Sequence, residues 1–363
     1  MIFDAALVAV YNQRNAHASR FKIESCVEHV LEHRQFFASC LGHQGIARLM
    51  MTSRVLLRGL DHAIVWDECN QKTPMAMLAR YFARAVMYEN KRAVQRLLRH
   101  PMSSKLLRTD AFQKFVPVTY KRPHIMHLAV CSGNINILDM LAETAGECMT
   151  VLRDSNDETC IHLAARLPNA SLRVLLKHMP DKPSLKISNK RGETPLNLAI
   201  MCRNPQNVQA LIDYDIFSAS HVNPSGQGAP VHVAAWAGHT ECFKLVYAAT
   251  FPTLRFSQCS EGYTPLMIGC VRDDTELVHF ILQEAKEEPE FNAYICSTSS
   301  LGQTCLHLCI LNANASMVQD ILDHCPQALL KIENVSGMDA LDMARLLHLH
   351  TIAAMIEHKA SAS

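Results

Sequence analysis

The chain has 363 residues, with 35 Lys/Arg against 34 Asp/Glu, and is long enough for a large core or for two or three domains. Only 6% of the residues are aromatic, which favours helices packed on aliphatic side chains over an aromatic-rich sandwich. No run of about 18 apolar residues occurs, so no membrane insertion is expected, and the 14 scattered cysteines lack the dense pattern of a small secreted domain.

The near-zero net charge hides an asymmetry: residues 1–120 carry 17 Lys/Arg and 9 Asp/Glu, residues 121–363 carry 18 and 25. Met1 to Tyr11 is apolar but short, is broken by Asp4 and has no basic stretch before it, which makes a poor signal peptide. With free thiols at apolar helical positions, a reducing compartment is expected, cytoplasmic or nuclear. Phe21 to Leu41 has no Pro or Gly and reads as one long helix, and Val55 to Val65 as a second. Residues 1–70 are therefore expected to form a helical cap or small module. Cys26, His29 and His33, followed by Cys40 and His43, are zinc-ligand types, but no Cys-x-x-Cys knuckle supports them. A partly buried polar stripe is the better reading, and no metal or cofactor is expected. Arg80, Arg84, Lys91, Arg92, Arg96 and Arg99 read as a solvated helix face, so nucleic acid is not the expected partner.

A six-residue pattern then recurs. It reads His124-Ile125-Met126-His127-Leu128-Ala129, and returns starting at Thr159, Thr194, Ala229, Thr264, Thr304 and Asp339. The steps are 35, 35, 35, 35, 40 and 35 residues, and the long step places five extra residues in the acidic stretch Lys286 to Glu290. Thr before Pro, as in Thr194-Pro195, suits a helix start: the hydroxyl caps, and Pro loses no hydrogen bond in the first turn. Gly192, Gly262, Gly302 and Gly337, each two residues earlier, permit positive φ in a tight turn. The pairs Leu211-Ile212, Ile281-Leu282 and Ile321-Leu322 give a second helix its buried stripe. Thr73-Pro74-Met75-Ala76-Met77 with Ala93 to Leu98 looks like an earlier copy with a longer first helix.

This motif and period resemble the ankyrin-repeat family, whose repeat is about 33 residues with a T-P-L-H-x-A signature. The resemblance implies an all-α solenoid of about seven to eight repeats: a helical module at 1–70, a degenerate repeat at 71–114 and the repeat domain at 115–363. His127, His162, His232 and His307 would tie neighbouring turns together instead of holding a metal. The extra two residues per repeat fall after the second helix. The Gly-His pair between the helices survives as Gly133-Asn134 and Gly238-His239.

No phosphate loop, G-x-S-x-G elbow or H-E-x-x-H helix occurs, so no catalysis is expected. The resemblance implies instead a monomeric scaffold, adaptor or inhibitor that binds a protein on its concave face. A second reading has residues 1–120 recruiting a ubiquitin ligase, or serving an enzyme as an accessory part. Carrying over the family's exposed offsets, four, three and one before the motif start and seven and eight after it, gives a face holding Tyr120, Lys121, Arg166, Lys190, Arg191, Trp236, Tyr263 and Arg272. Glu158, Glu193 and Glu261 share it. The aromatic and Arg residues are the expected hot spots, and the partner is expected to be acidic.

Overall fold

The computed structural model describes residues 75–108, 124–179, 185–222, 226 and 228–361. All belong to the second of the two units into which the chain divides, Pro74–Ser363. The helices expected over 21–41 and 55–65, the Cys26 to His43 constellation, Tyr120 and Lys121 lie outside the described residues.

Among the described residues the chain is a succession of helix pairs. They are α1 (Met75–Met87) with α2 (Lys91–Leu98), followed by the short α3 (Ser103–Leu107); α4 (Ile125–Ser132) with α5 (Ile135–Ala145); α6 (Cys160–Arg166) with α7 (Ser171–Lys177); and α8 (Pro195–Met201) with α9 (Pro205–Tyr214). Then come α10 (Pro230–Ala237) with α11 (Thr240–Ala249) and the short α12 (Pro252–Arg255); α13 (Pro265–Val271) with α14 (Thr275–Ala285) and the short α15 (Phe291–Ile295); α16 (Cys305–Leu311) with α17 (Ala315–His324); and α18 (Ala340–Leu346) with α19 (His350–Ser361). No strand occurs among the described residues; a single-residue bridge joins Arg153 and Thr159.

The motif starts each first helix for the reasons its chemistry supplies. Thr194, Thr264 and Thr304 accept from the backbone N–H three residues on, and Pro195, Pro230 and Pro265 fill the first turn. His124 and Asp339, which replace the Thr, cap through Nδ1 and a carboxylate oxygen instead. Second helices are capped by Asn90, Asn134, Asn204, His239, Asp274 and Asn314. Each first helix packs on the next first helix; the second helices pack likewise, α11 and α14 through the rings of Phe243, Tyr247 and Phe280. Leu211, Ile281, Leu282 and Ile321 are fully buried between them, so no pair closes its core alone. In the closing repeat His348, His350 and Glu357 are exposed, and Glu357 pairs with Arg345 at 2.6 Å, as a solvated end requires.

The extra length lies after the second helix. One added turn follows it at Gly146–Thr150, Ile216–Ser220, Pro252–Arg255 and Gln327–Lys331. In the repeat with the 40-residue step the corresponding turn is Phe291–Ile295, and residues 286–290 stand before it as the insertion.

In every described repeat but that of α6 and α7, the turn between the two helices takes a left-handed residue. Gly133 and Gly238 supply it with φ of 72° and 61°, but Arg203, Asp273, Ala313 and His348 adopt φ of 55–58° at the same offset. The hairpins ahead of the first helices touch one another. The amides of Lys190, Ser260, Ser300 and Val335 donate to carbonyls of the preceding hairpin, at 3.0, 3.2, 3.3 and 3.2 Å. Gly262 is required by this approach: a Cβ there would lie 2.7 Å from the Ser300 amide nitrogen.

Candidate functional site

The first helices and the hairpins share one face, and the side chain seven residues after each motif start lies along it toward the hairpin base. Two repeats show opposite uses of this geometry. In α6, Arg166 folds back and grips Glu158 with both guanidinium arms, one at 2.9 Å. Asn189 Nδ2 of the next hairpin donates to Glu158 Oε1 at 3.2 Å and to Glu193 Oε2 at 2.8 Å. Glu158 and Glu193 retain 6% and 4% of their exposure. The sequence expectation that both acids lie on the open face is therefore corrected. They are buried because Arg166 and Asn189 satisfy them, and the Asn189 side chain also organises its own hairpin through the amides of Arg191 and Glu193.

Two repeats on, Trp236 takes the same offset as Arg166. It remains 40% exposed. Its ring meets Tyr263, at the hairpin base of the next repeat, edge to face with centroids 6.4 Å apart. The Arg272 guanidinium donates to the Trp236 carbonyl oxygen at 2.7 Å and rests where a Cβ on Gly238 would stand. Structure thus brings together Trp236, Tyr263 and Arg272. Lys190 and Arg191 are exposed at a hairpin tip, with Lys190 Nζ donating to the Ser155 carbonyl at 2.6 Å. Arg166 is on the face, but its charge is matched by Glu158.

The offset that gives Trp236 also gives Met201 and Leu311 from sequence, although only aromatic and charged residues are singled out there as hot spots. Met201, Leu311 and Leu346 stand at the Trp236 offset and are 50%, 51% and 62% exposed. The signal was available, since one offset carries an apolar residue in five consecutive repeats where packing does not bury it. Phe217 and Phe251 form a separate exposed pair, 6.2 Å between centroids, beyond the second helices.

The motif histidines are buried and serve the fold. His127 and His307 donate from Nε2 to the carbonyl oxygens of Glu158 and Met338 in the following hairpins, at 2.8 and 3.2 Å. Their Nδ1 atoms accept from the amides of His124 and Thr304, which fixes the tautomer. Burial pushes the pKa values of His127, His232 and His307 down, and that of His162 to about 4. Among the described residues no His/Cys/Asp/Glu group could hold a metal, and no helix is long and apolar enough to cross a membrane. The described cysteines are free thiols. Cys270 and Cys309 stand on adjacent first helices, and burial raises both pKa values.

A family model described as ankyrin repeats in three copies matches residues 126–223 and 172–255. Among solved structures, the ankyrin repeat domain of Bcl-3, described as a unique member of the IkappaB protein family, is 20% identical with a TM-score of 0.52, over 67% of this chain and 97% of that one. The human ASB11 ankyrin repeat domain is 20% identical with a TM-score of 0.50, over 64% of this chain and 96% of that one. EF0377, an ankyrin repeat protein, is 22% identical with a TM-score of 0.46, over 54% and 96%. Identities of this size speak to the fold alone.

Proposed function

For a chain that belongs to the ankyrin-repeat family, and so carries a protein-interaction module, we propose the role of an intracellular scaffold, adaptor or inhibitor. It works by holding a protein partner rather than by catalysis. The partner sits on the face of first helices and hairpins, centred on Trp236 and Tyr263, with Lys190, Arg191 and Arg272 around them. Residues 71–114 serve as a degenerate first repeat and residues 1–70 as a helical cap or module.

The observation that carries this reading is the Trp236–Tyr263 pair. Two large rings meet across a repeat boundary while the indole stays 40% exposed, although the same offset accommodates Arg166 and Met201 elsewhere. Trp is among the residues most enriched at binding hot spots, and an open indole on a repeat face is available to one. Trp236→Ala is expected to weaken binding by about 2 kcal/mol, roughly thirtyfold. It should cost the fold about 1 kcal/mol through the lost ring pair. Affinity purification with wild type and variant, quantified by mass spectrometry, identifies the proteins that depend on Trp236. Calorimetry with the leading one then measures the loss. If every captured protein binds the variant as tightly, the site lies elsewhere.

A further inference from the structure

We propose that the segment held on this face is an extended acidic chain. It seats one apolar side chain per repeat, at every third residue, with its acidic part over the hairpin of Lys190 and Arg191. The inference rests on the reading above and adds to it the partner's register and charge.

The register comes from the row itself. The offset seven residues after the motif start holds Met201, Trp236, Val271, Leu311 and Leu346 in five consecutive repeats. All but Val271 are exposed, whereas the two preceding repeats carry Cys131 and Arg166 there. The first helices bearing the row pack directly on one another, so neighbouring positions are spaced as packed helices are, about 8–10 Å apart. Three residues of extended or polyproline-like chain advance about 9–10 Å, inside that range. The seven-residue step that would align a ligand α-helix advances about 10.5 Å, outside it, and the error accumulates along the row. Five positions at three residues each call for a segment of roughly 13 residues.

The charge comes from what is left accessible. At the Met201 end, Lys190 and Arg191 are exposed, and the Arg191 guanidinium has no hydrogen bond or ion pair among the described residues. Arg203 is exposed just beyond Met201. Glu158 and Glu193 are buried and already accept hydrogen bonds, and Asp154 in the adjoining hairpin accepts from the amides of Asn156 and Glu158. An acidic stretch of the ligand therefore meets cations at this end. The ligand's apolar anchors run on toward Leu346, where the cations beside the row are engaged, Arg272 with the Trp236 carbonyl and Arg345 with Glu357.

The test is selection of a phage-displayed library of random peptides of about 16 residues on the full chain. Enriched peptides are re-measured on Leu311→Asp, on Lys190→Glu/Arg191→Glu and on Trp236→Ala. The expected result is peptides with apolar residues three apart and Asp or Glu clustered at one end. Their affinity should fall at least tenfold with Leu311→Asp and severalfold with the double charge reversal, the latter loss shrinking as salt rises. Apolar spacings of three, four and seven, peptides without an acidic end, no enrichment, or indifference to Leu311→Asp would overturn the inference. If such peptides still depend on Trp236, the binding face stands and only its register fails; if they ignore Trp236 as well, both fail. Leu311 is half exposed, so a matching melting temperature for Leu311→Asp keeps the comparison clean.

Discussion

Arg166 and Trp236 occupy the same offset in repeats two apart, and one is closed while the other is open. Arg166 is clamped on Glu158, which Asn189 ties on to Glu193, so four side chains weld two repeats together with both carboxylates buried. Trp236 has only the edge of Tyr263 and the Arg272 arm on its carbonyl, and its ring remains available. The lesson is that an offset marks a place on the face but not a role. Whether the residue serves the fold or a partner is decided by what stands at the hairpin base opposite it.

The largest expected effect breaks the closed side. Arg166→Ala leaves the Glu158 carboxylate buried with only the Asn189 amide, and breaking a buried pair typically costs about 3–5 kcal/mol. Because the Arg166 side chain is 32% exposed, the lower end, about 3 kcal/mol, is expected. Urea unfolding at neutral pH measures it. A loss of under about 1 kcal/mol would mean the network is held by hairpin geometry and not by the ion pair.

The second effect works through protons. His162 sits at the base of the closed side, beside Glu158, with its pKa pushed by burial to about 4 from an ordinary 6.5. A depressed histidine favours the neutral fold. Its contribution is fully present above pH 6.5 and is lost as the pH falls toward 4, because the unfolded chain binds the proton first. Between pH 7 and pH 5 the loss from His162 is about 2 kcal/mol. His127, His232 and His307 act in the same direction. His162→Asn, which copies Asn197 of the next repeat, should flatten the profile between pH 7 and 5. An unchanged slope by thermal melts would place the acid sensitivity on the other three.

How much of this was legible follows the chemistry of each position. The motif start could be read because Thr, Pro and Gly act locally, and the insertion because a fixed period exposes it. The inter-helix turns at Arg203, Asp273, Ala313 and His348 could not, since no glycine announces them; the packing of the two flanking helices imposes the left-handed backbone. Glu158 and Glu193 were misplaced for a similar reason: their burial depends on Asn189 and Arg166, which meet them only after the repeats stack. The exposed ring of Trp236 was legible, because nothing in repeat packing calls for an indole there. A third prediction uses the silent turns. Ala313 is exposed with φ of 55°, a conformation that costs a Cβ-bearing residue about 1–2 kcal/mol. Ala313→Gly should stabilise the chain by about 1 kcal/mol after the entropy of the unfolded glycine is counted. A lower melting temperature would show that the turn is not strained.

The smallest expected effect sharpens the comparison most, because it concerns a second arginine on the same face. Arg191 lies at the hairpin tip, one repeat on from Glu158, and its backbone amide is taken by Asn189 Oδ1 at 2.9 Å. Its side chain is exposed and has no hydrogen bond or ion pair among the described residues. Removing the guanidinium therefore leaves no buried charge behind and opens no cavity. The amide that holds the turn is untouched by Arg191→Ala. Stability should change by no more than about 0.5 kcal/mol, as for an ordinary surface position. Arg166→Ala, the same substitution a short way along the same face, should cost several times more, so the ratio of the two in one urea series tests the division directly. If Arg191→Ala proves as costly as Arg166→Ala, the hairpin cation is part of the weld between repeats and cannot be reserved for a partner. If it is silent for folding yet flattens the salt dependence of binding, the open side of the face extends from Trp236 back to this hairpin.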